Sequence, residues 1–186
     1  GTSATVTSAW TTYTTANSDP LGNIWTKAYQ IQSATGYKIN SIVMGEIAWR
    51  NFSRHADVIG KIHQTGYAGG GLPATVEQAA KLLQVDKLLI GRAFYNTAQE
   101  GQAATISAVW GDHVLLYYAP PTPSIDLPSF MYSLRWVKSG LPNFEVERIP
   151  FNPVTKTDEI QASYYQAEKI LSTAFGALIT NVTSSQ

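Results

Sequence analysis

Close to residue 86 the apolar side chains of this sequence stop recurring at every third or fourth position and begin to recur at every second one. A stripe at helical spacing is not buried by a strand, and an alternating one is not buried by a helix. The chain is therefore constrained to be helical in its first half and sheet-forming in its second, the segregated arrangement of an α+β fold.

The helical half is clearly punctuated. Asp19-Pro20 supplies an N-cap and a proline at the first helical position. Leu21, Ile24, Trp25, Ala28 and Ile31 follow as one apolar stripe, and Gly36 is the stop. This predicts a long helix packed through those side chains. Residues 41–44 read as a short buried strand closed by Gly45. Residues 46–54 and 57–64 read as two short helices, with Ile47, Trp49, Phe52, Val58, Ile59 and Ile62 inward. Gly66, Gly69, Gly70 and Gly71 form a loop ending at Leu72-Pro73, after which Thr75 and Gln78 make a capping box. Val76, Ala79, Ala80 and Leu83 are the buried side of the helix it opens. Ahead of all this, residues 1–18 are rich in Ser, Thr and Ala. With Trp10 and Tyr13 as anchors, and Val6 and Trp10 on one face, they predict an extended arm or strand.

In the second half, Leu88-Leu89-Ile90 is one strand, and 104–110 with 113–119 read as a hairpin turning at Gly111-Asp112. Pro120, Pro121, Pro123 and Pro128 punctuate a loop. Phe130, Tyr132, Leu134 and Trp136 then alternate with polar or smaller neighbours, as in a half-buried strand. Residues 143–150 and 158–168 predict two long strands around a tip at 151–157, and 174–180 a last strand.

Charge narrows the function more than it narrows the fold. Of 186 residues, 44% are hydrophobic but only 14% are charged, and thirteen basic side chains balance thirteen acidic ones. Such a chain has no electrostatic footprint for gripping nucleic acid. A surface of hydroxyls and amides suits burial against other copies, because desolvating it costs less than desolvating ions. There is no cysteine, which excludes a disulfide scaffold and thiolate zinc sites and fits a reducing compartment. No apolar run approaches the ~18 residues of a membrane-crossing helix.

The residues that carry chemistry do not converge. His55 and His63 lie eight positions apart, but neither belongs to a His-Glu-x-x-His pattern. Helix-end or surface histidines account for them better than a joint metal site. His113 reads as the start of a strand. Gly69-Gly70-Gly71 is not followed by the Gly-Lys-Ser/Thr of a phosphate loop, and no Gly-x-Ser-x-Gly elbow occurs. Glu145 and Glu147 share a strand face, as paired carboxylates do, but without a pocket they read as exposed charges for Arg148 or a neighbouring subunit. The sequons at Asn51 and Asn181 are chance matches. Trp10, Trp25, Trp49, Trp110 and Trp136 are dispersed rather than gathered into a stacking platform. The expectation is a non-enzymatic protein with no cofactor and no metal.

Several segments in fixed order carry a resemblance: 18–21, 34–45, 84–98 (Gln-Val-Asp-Lys-Leu-Leu-Ile-Gly-Arg-Ala-Phe-Tyr-Asn-Thr-Ala), Glu100-Gly101-Gln102, Val109-Trp110-Gly111, 115–121 and Pro128-Ser129-Phe130. Together they resemble tailed-phage major capsid proteins over about residues 18 to 180. The resemblance implies the Hong Kong phage-type capsid fold, shared with encapsulins. Residues 1–36 and 143–169 would form its peripheral domain (extended arm, spine helix, long hairpin). Residues 37–142 and 170–186 would form an axial domain around a mixed sheet.

It implies a structural virion protein. Copies would assemble in the bacterial host cytoplasm into pentamers and hexamers of an icosahedral shell. The shell would enclose DNA without sequence-specific binding, with other head proteins as further partners and no membrane. The hairpin would supply the subunit interface through Glu145, Glu147, Arg148, Pro150, Phe151, Asn152, Pro153, Lys156 and Asp158. Lys156 and Asp158 would offer opposite charges across a three-fold contact. Family members carry an N-terminal arm and an extended loop before the spine helix, and only about eighteen residues precede it here. With Gly1 in place of a starting methionine, the expectation is a processed or truncated chain that stays small in dilute solution. Two other readings stay open: an encapsulin-like compartment shell, told apart by its cargo, and a β-rich carbohydrate-binding module or hydrolase, told apart by a deep pocket with converging carboxylates.

Overall fold

The computed structural model describes residues 2–5, 9–11, 18–63, 73–124, 126–135, 145–152 and 157–183. For 2–5, 63, 145, 147, 149–152, 157 and 159 it describes the backbone alone. The fold is mixed α+β and divides into two compact units, Gly1–Phe130 with Ser172–Gln186, and Met131–Leu171.

In the first unit, helix α1 (Pro20–Thr35) begins where the sequence requires. The Asp19 carboxylate accepts the Gly22 N–H at 2.7 Å, and Gly36, at φ 78°, donates its N–H to the Gln32 carbonyl. Strand β2 (Ser41–Gly45) leads into α2 (Glu46–Arg54), α3 (Ala56–His63) and α4 (Val76–Leu83). The capping box that opens α4 is complete: Thr75 Oγ1 accepts from Gln78 N–H, and Gln78 Oε1 accepts from Thr75 N–H. The remaining strands are β1 (Thr2–Thr5), β3 (Lys87–Gly91), β4 (Phe94–Asn96), β5 (Ile106–Ala108), β6 (Val114–Tyr117) and β11 (Gly176–Thr180), the last preceded by a 3₁₀ turn over Thr173–Phe175.

Five of these strands form one mixed sheet in the order β1-β11-β6-β2-β3. β1 runs parallel to β11 and β3 parallel to β2, while β6 is antiparallel to both of its neighbours. Register and period two place Ile42, Met44, Leu88, Val114, Leu116, Ala177 and Ile179 on one face, and all are buried. They share one core with Leu21, Ile24 and Ile31 of α1, Ala48, Trp49 and Phe52 of α2, Val58 of α3, and Ala79 and Leu83 of α4. Trp10 closes this core: it is fully buried against Phe52, and its backbone N–H donates to the Val182 carbonyl. Asn40 extends the sheet from a side chain, since its Oδ1 accepts the Ala119 N–H at 3.0 Å and its Nδ2 donates to the Ala119 carbonyl at 2.6 Å.

Two expectations are corrected here. Gly111-Asp112 does turn the chain, but not between paired strands. Residues 106–108 pair with β4, and β6 lies between β11 and β2. The reason is burial: Val114 and Leu116 are fully buried and need a partner on either side, whereas Ile106 is exposed. The turn is held by the other end of the chain, through Thr183 donating from N and Oγ1 to the Asp112 carboxylate. Secondly, Trp25 is not in the packed stripe of α1. It is 44% exposed, with the Lys61 ammonium 4.9 Å from its ring centroid. At 100° from Ile24 around the helix it falls on the rim, where the Lys61 ammonium lies over its ring. Ala28 packs partly against the core. Helix α1 contacts β11, β6 and the 3₁₀ turn, and lies in the compact unit of the mixed sheet.

In the second unit, β7 (Met131–Arg135) pairs antiparallel with β10 (Gln166–Ile170), and β8 (Glu145–Asn152) with β9 (Thr157–Ser163). The expected strand over 158–168 is thus two strands with different partners, broken at Tyr164-Tyr165. The β8–β9 ladder carries an irregularity between Ile149 and Asn152, next to Pro150, which has no N–H to give a ladder. No described side chain of this unit is buried.

Candidate functional site

The three-residue groups that hold metals do not occur among the described residues. His55 caps the C-terminus of α2, is fully buried, and accepts the Asp57 N–H on Nδ1 at 3.3 Å. A ring fixed in this way inside the α2–α3 corner has a structural task. The His63 side chain, the glycines at 66 and 69–71, and Trp136 lie outside the described residues. Asn51 is buried in α2, so its sequon is not presented. His113 directly precedes β6, as expected of a strand-start residue.

The expected interface falls on the β8–β9 hairpin. Arg148 donates to the Asp158 carboxylate at 2.7 Å across the ladder, with both side chains well exposed. Asp158 is therefore paired within its own hairpin. An exposed pair of this kind is worth about 0–1 kcal/mol. It orients the two side chains more than it holds the hairpin together. Val146 lies opposite Ala162 and Arg148 opposite Ile160, so Val146 and Ile160 are diagonal neighbours on one face, and both are more than half exposed. Pro150, Phe151 and Asn152 are in strand β8, and only their backbone is described, as for Glu145 and Glu147. Pro153 and Lys156 lie outside the described residues, as do Val6 and Tyr13.

The β7–β10 ladder repeats the pattern. Met131 faces Ile170 and Leu134 faces Ala167; Met131, Leu134, Ile170, Leu171, Tyr164 and Tyr165 are all exposed. Leu134, Arg135, Tyr164, Tyr165, Gln166 and Ala167 line an open recess of about 450 Å³, and none of these described residues is a carboxylate that could serve as one of a glycosidase's paired acids. Two short antiparallel ladders with exposed apolar side chains can bind another surface; among the described residues no nucleophile, base and oxyanion donor meet on them.

Sequence reading missed one exposed element. Hairpin β4–β5 carries Phe94, Tyr95 and Ile106 in the open. Its signal was the run Phe94-Tyr95-Asn96, too short for periodicity to register.

No family model matches the chain. It is similar to the major capsid protein of Burkholderia phage BcepMu, with 30% identity over 142 residues, covering 73% of this chain and 42% of that protein. Its fold matches the crystal structure of a phage-related protein from Bordetella bronchiseptica RB50 with a TM-score of 0.80 at 21% identity, over 98% of this chain and 56% of that one. The chain thus spans less than half the length of the capsid protein it matches, and little more than half of the solved structure.

Proposed function

We propose that this chain is the shell-forming part of a tailed-phage major capsid protein, a non-enzymatic subunit of the virion. Copies tile as pentamers and hexamers into an icosahedral shell that encloses DNA without reading its sequence. In this reading β8–β9 is the long peripheral hairpin, α1 is the spine helix, and the mixed sheet lies in the axial domain.

The observation that carries the reading is the likeness to a phage capsid protein at 30% identity. A second supports it: the described apolar side chains of the unit Met131–Leu171 are not buried within it, which suits a molecule completed by its neighbours. With so few charges, the contacts are made by hydroxyl, amide and apolar groups.

Electron microscopy of the full-length protein produced in bacteria tests the reading, with closed shells expected. Phe151→Ser in that protein is expected to leave the circular dichroism spectrum unchanged and to lower the yield of closed particles. Full-length protein that remains monomeric at high concentration would count against shell formation. Normal particle yield from the Phe151 variant would count against the hairpin contact.

A further inference from the structure

The described helices of the first unit share their core with one face of the mixed sheet. On the other, the register sets Leu89, Val43, Leu115 and Leu178 in one row across β3, β2, β6 and β11. Both ends of this face are closed by aromatic rings lying on glycines. A Cβ on Gly91 would come within 2.3 Å of the Trp110 ring, and one on Gly176 within 2.4 Å of the Phe130 ring. Between these caps Val43, Leu115 and Leu178 are half-buried, and Leu89 at the sheet edge is half exposed. The charged side chain on this face is Lys87, exposed at the start of β3.

The β4–β5 hairpin leaves the same edge just past Gly91. Phe94 and Ile106 occupy one of its faces and Tyr95 the other, and with Val109 each is more than half exposed. Strands of three residues, apolar on both faces, do not make a stable two-stranded hairpin in water. Between residues 93 and 109 the single charge is Glu100.

We infer that the β4–β5 hairpin of one copy lies over the open sheet face of the next, at its β3 edge. The two surfaces differ, so the contact is head-to-tail, and every copy offers one of each to its two neighbours. Charge fits this occupant: the one acidic side chain of the arm meets the one basic side chain of the face, and among the described residues neither has an ion-pair partner of its own. A nucleic acid would require the cations that this face lacks. On the face that carries Phe94 and Ile106, the exposed apolar area of the hairpin falls well short of the ~800 Å² each partner contributes to a stable pair. One such contact does not hold two copies together, but contacts repeated around a closed assembly do. The inference rests on the shell reading and adds to it a contact made by the first unit, separate from the β8–β9 hairpin.

This stretch of chain brings no cysteine of its own, and any cysteine outside it is first replaced by serine. Full-length Leu89→Cys and Ile106→Cys chains are co-produced, and the particles they form are treated with a short bismaleimide. The two-chain adduct is expected to be several-fold stronger in mixed particles than in particles of either variant alone; equal adduct in all three overturns the contact. Lys87→Glu and Glu100→Lys, made separately, are each expected to lower particle yield several-fold, and together to restore it. Unchanged yield in both single variants, or a double variant as poor as they are, also overturns it. If unsubstituted full-length protein forms no particles, the shell reading fails first, and this contact with it.

Discussion

The two compact units of this chain bury their apolar side chains very differently. The first gathers four helices and a five-stranded sheet around one core in which Trp10, Phe52, Ile42, Met44 and Leu116 are fully buried. The second consists of two separate two-stranded ladders, and none of its described side chains is buried. At about forty residues it is at the size below which a domain needs outside support. Identical chemistry is used to opposite ends: Ile42 in β2 stabilises the fold, while Ile160 in β9, 70% exposed, adds nothing inside its own chain. The buried core lies in one part, and no apolar side chain described in the other is buried.

The strongest test of this contrast is truncation in each unit. Phe52→Ala removes a fully buried ring that packs against both Trp10 and Trp49. It is expected to cost about 3–5 kcal/mol in denaturant unfolding. Ile160→Ala is expected to stay within about 0.5 kcal/mol of wild type. Similar losses from the two would erase the distinction between the units.

Asn40→Ala sharpens the contrast from the polar side. It strips two hydrogen bonds from the Ala119 backbone in a partly buried position and should cost about 2–3 kcal/mol. Urea midpoints measure it, and a loss under half a kilocalorie would mean that water replaces the side chain there.

The sequence made the first unit legible wherever a local rule acts. The Asp19-Pro20 start, the Gly36 stop and the Thr75–Gln78 capping box are each fixed by residues within one turn of the helix end. Long-range pairing was not legible in the same way. Gly111-Asp112 looks like a hairpin turn from its neighbours, but the partners of β6 are β2 and β11, and β11 is drawn from the far end of the chain. The break at Tyr164-Tyr165 was hidden because residues 158–168 keep the composition of one strand while changing partner. The burial of Trp25 was misjudged because periodicity gives a stripe but not its width. The candidate interface was legible as a hairpin; its ion pair, Arg148 with Asp158, followed only once the register was known.

Two smaller effects follow from these positions. Thr75→Ala should cost about 1 kcal/mol through loss of the cap. Trp25→Ala should cost about 1 kcal/mol or less, since the ring is on the rim and its cation contact is with an exposed lysine. A loss of 3–5 kcal/mol at Trp25, the range for a buried ring, would return it to the core stripe.

On the proposed shell reading, the first unit holds itself and the second is held by other copies. Hydrogen exchange on the full-length protein, free and in assembled particles, tests it directly. In the free protein the amides of β2, β6 and β11 are expected to be protected to the level of global unfolding, and those of β7, β8, β9 and β10 to exchange quickly. In particles the four latter strands should gain protection while the first three change little. Strands β7 to β10 as well protected in the free protein as β2 and β6, with no gain on assembly, would contradict the account.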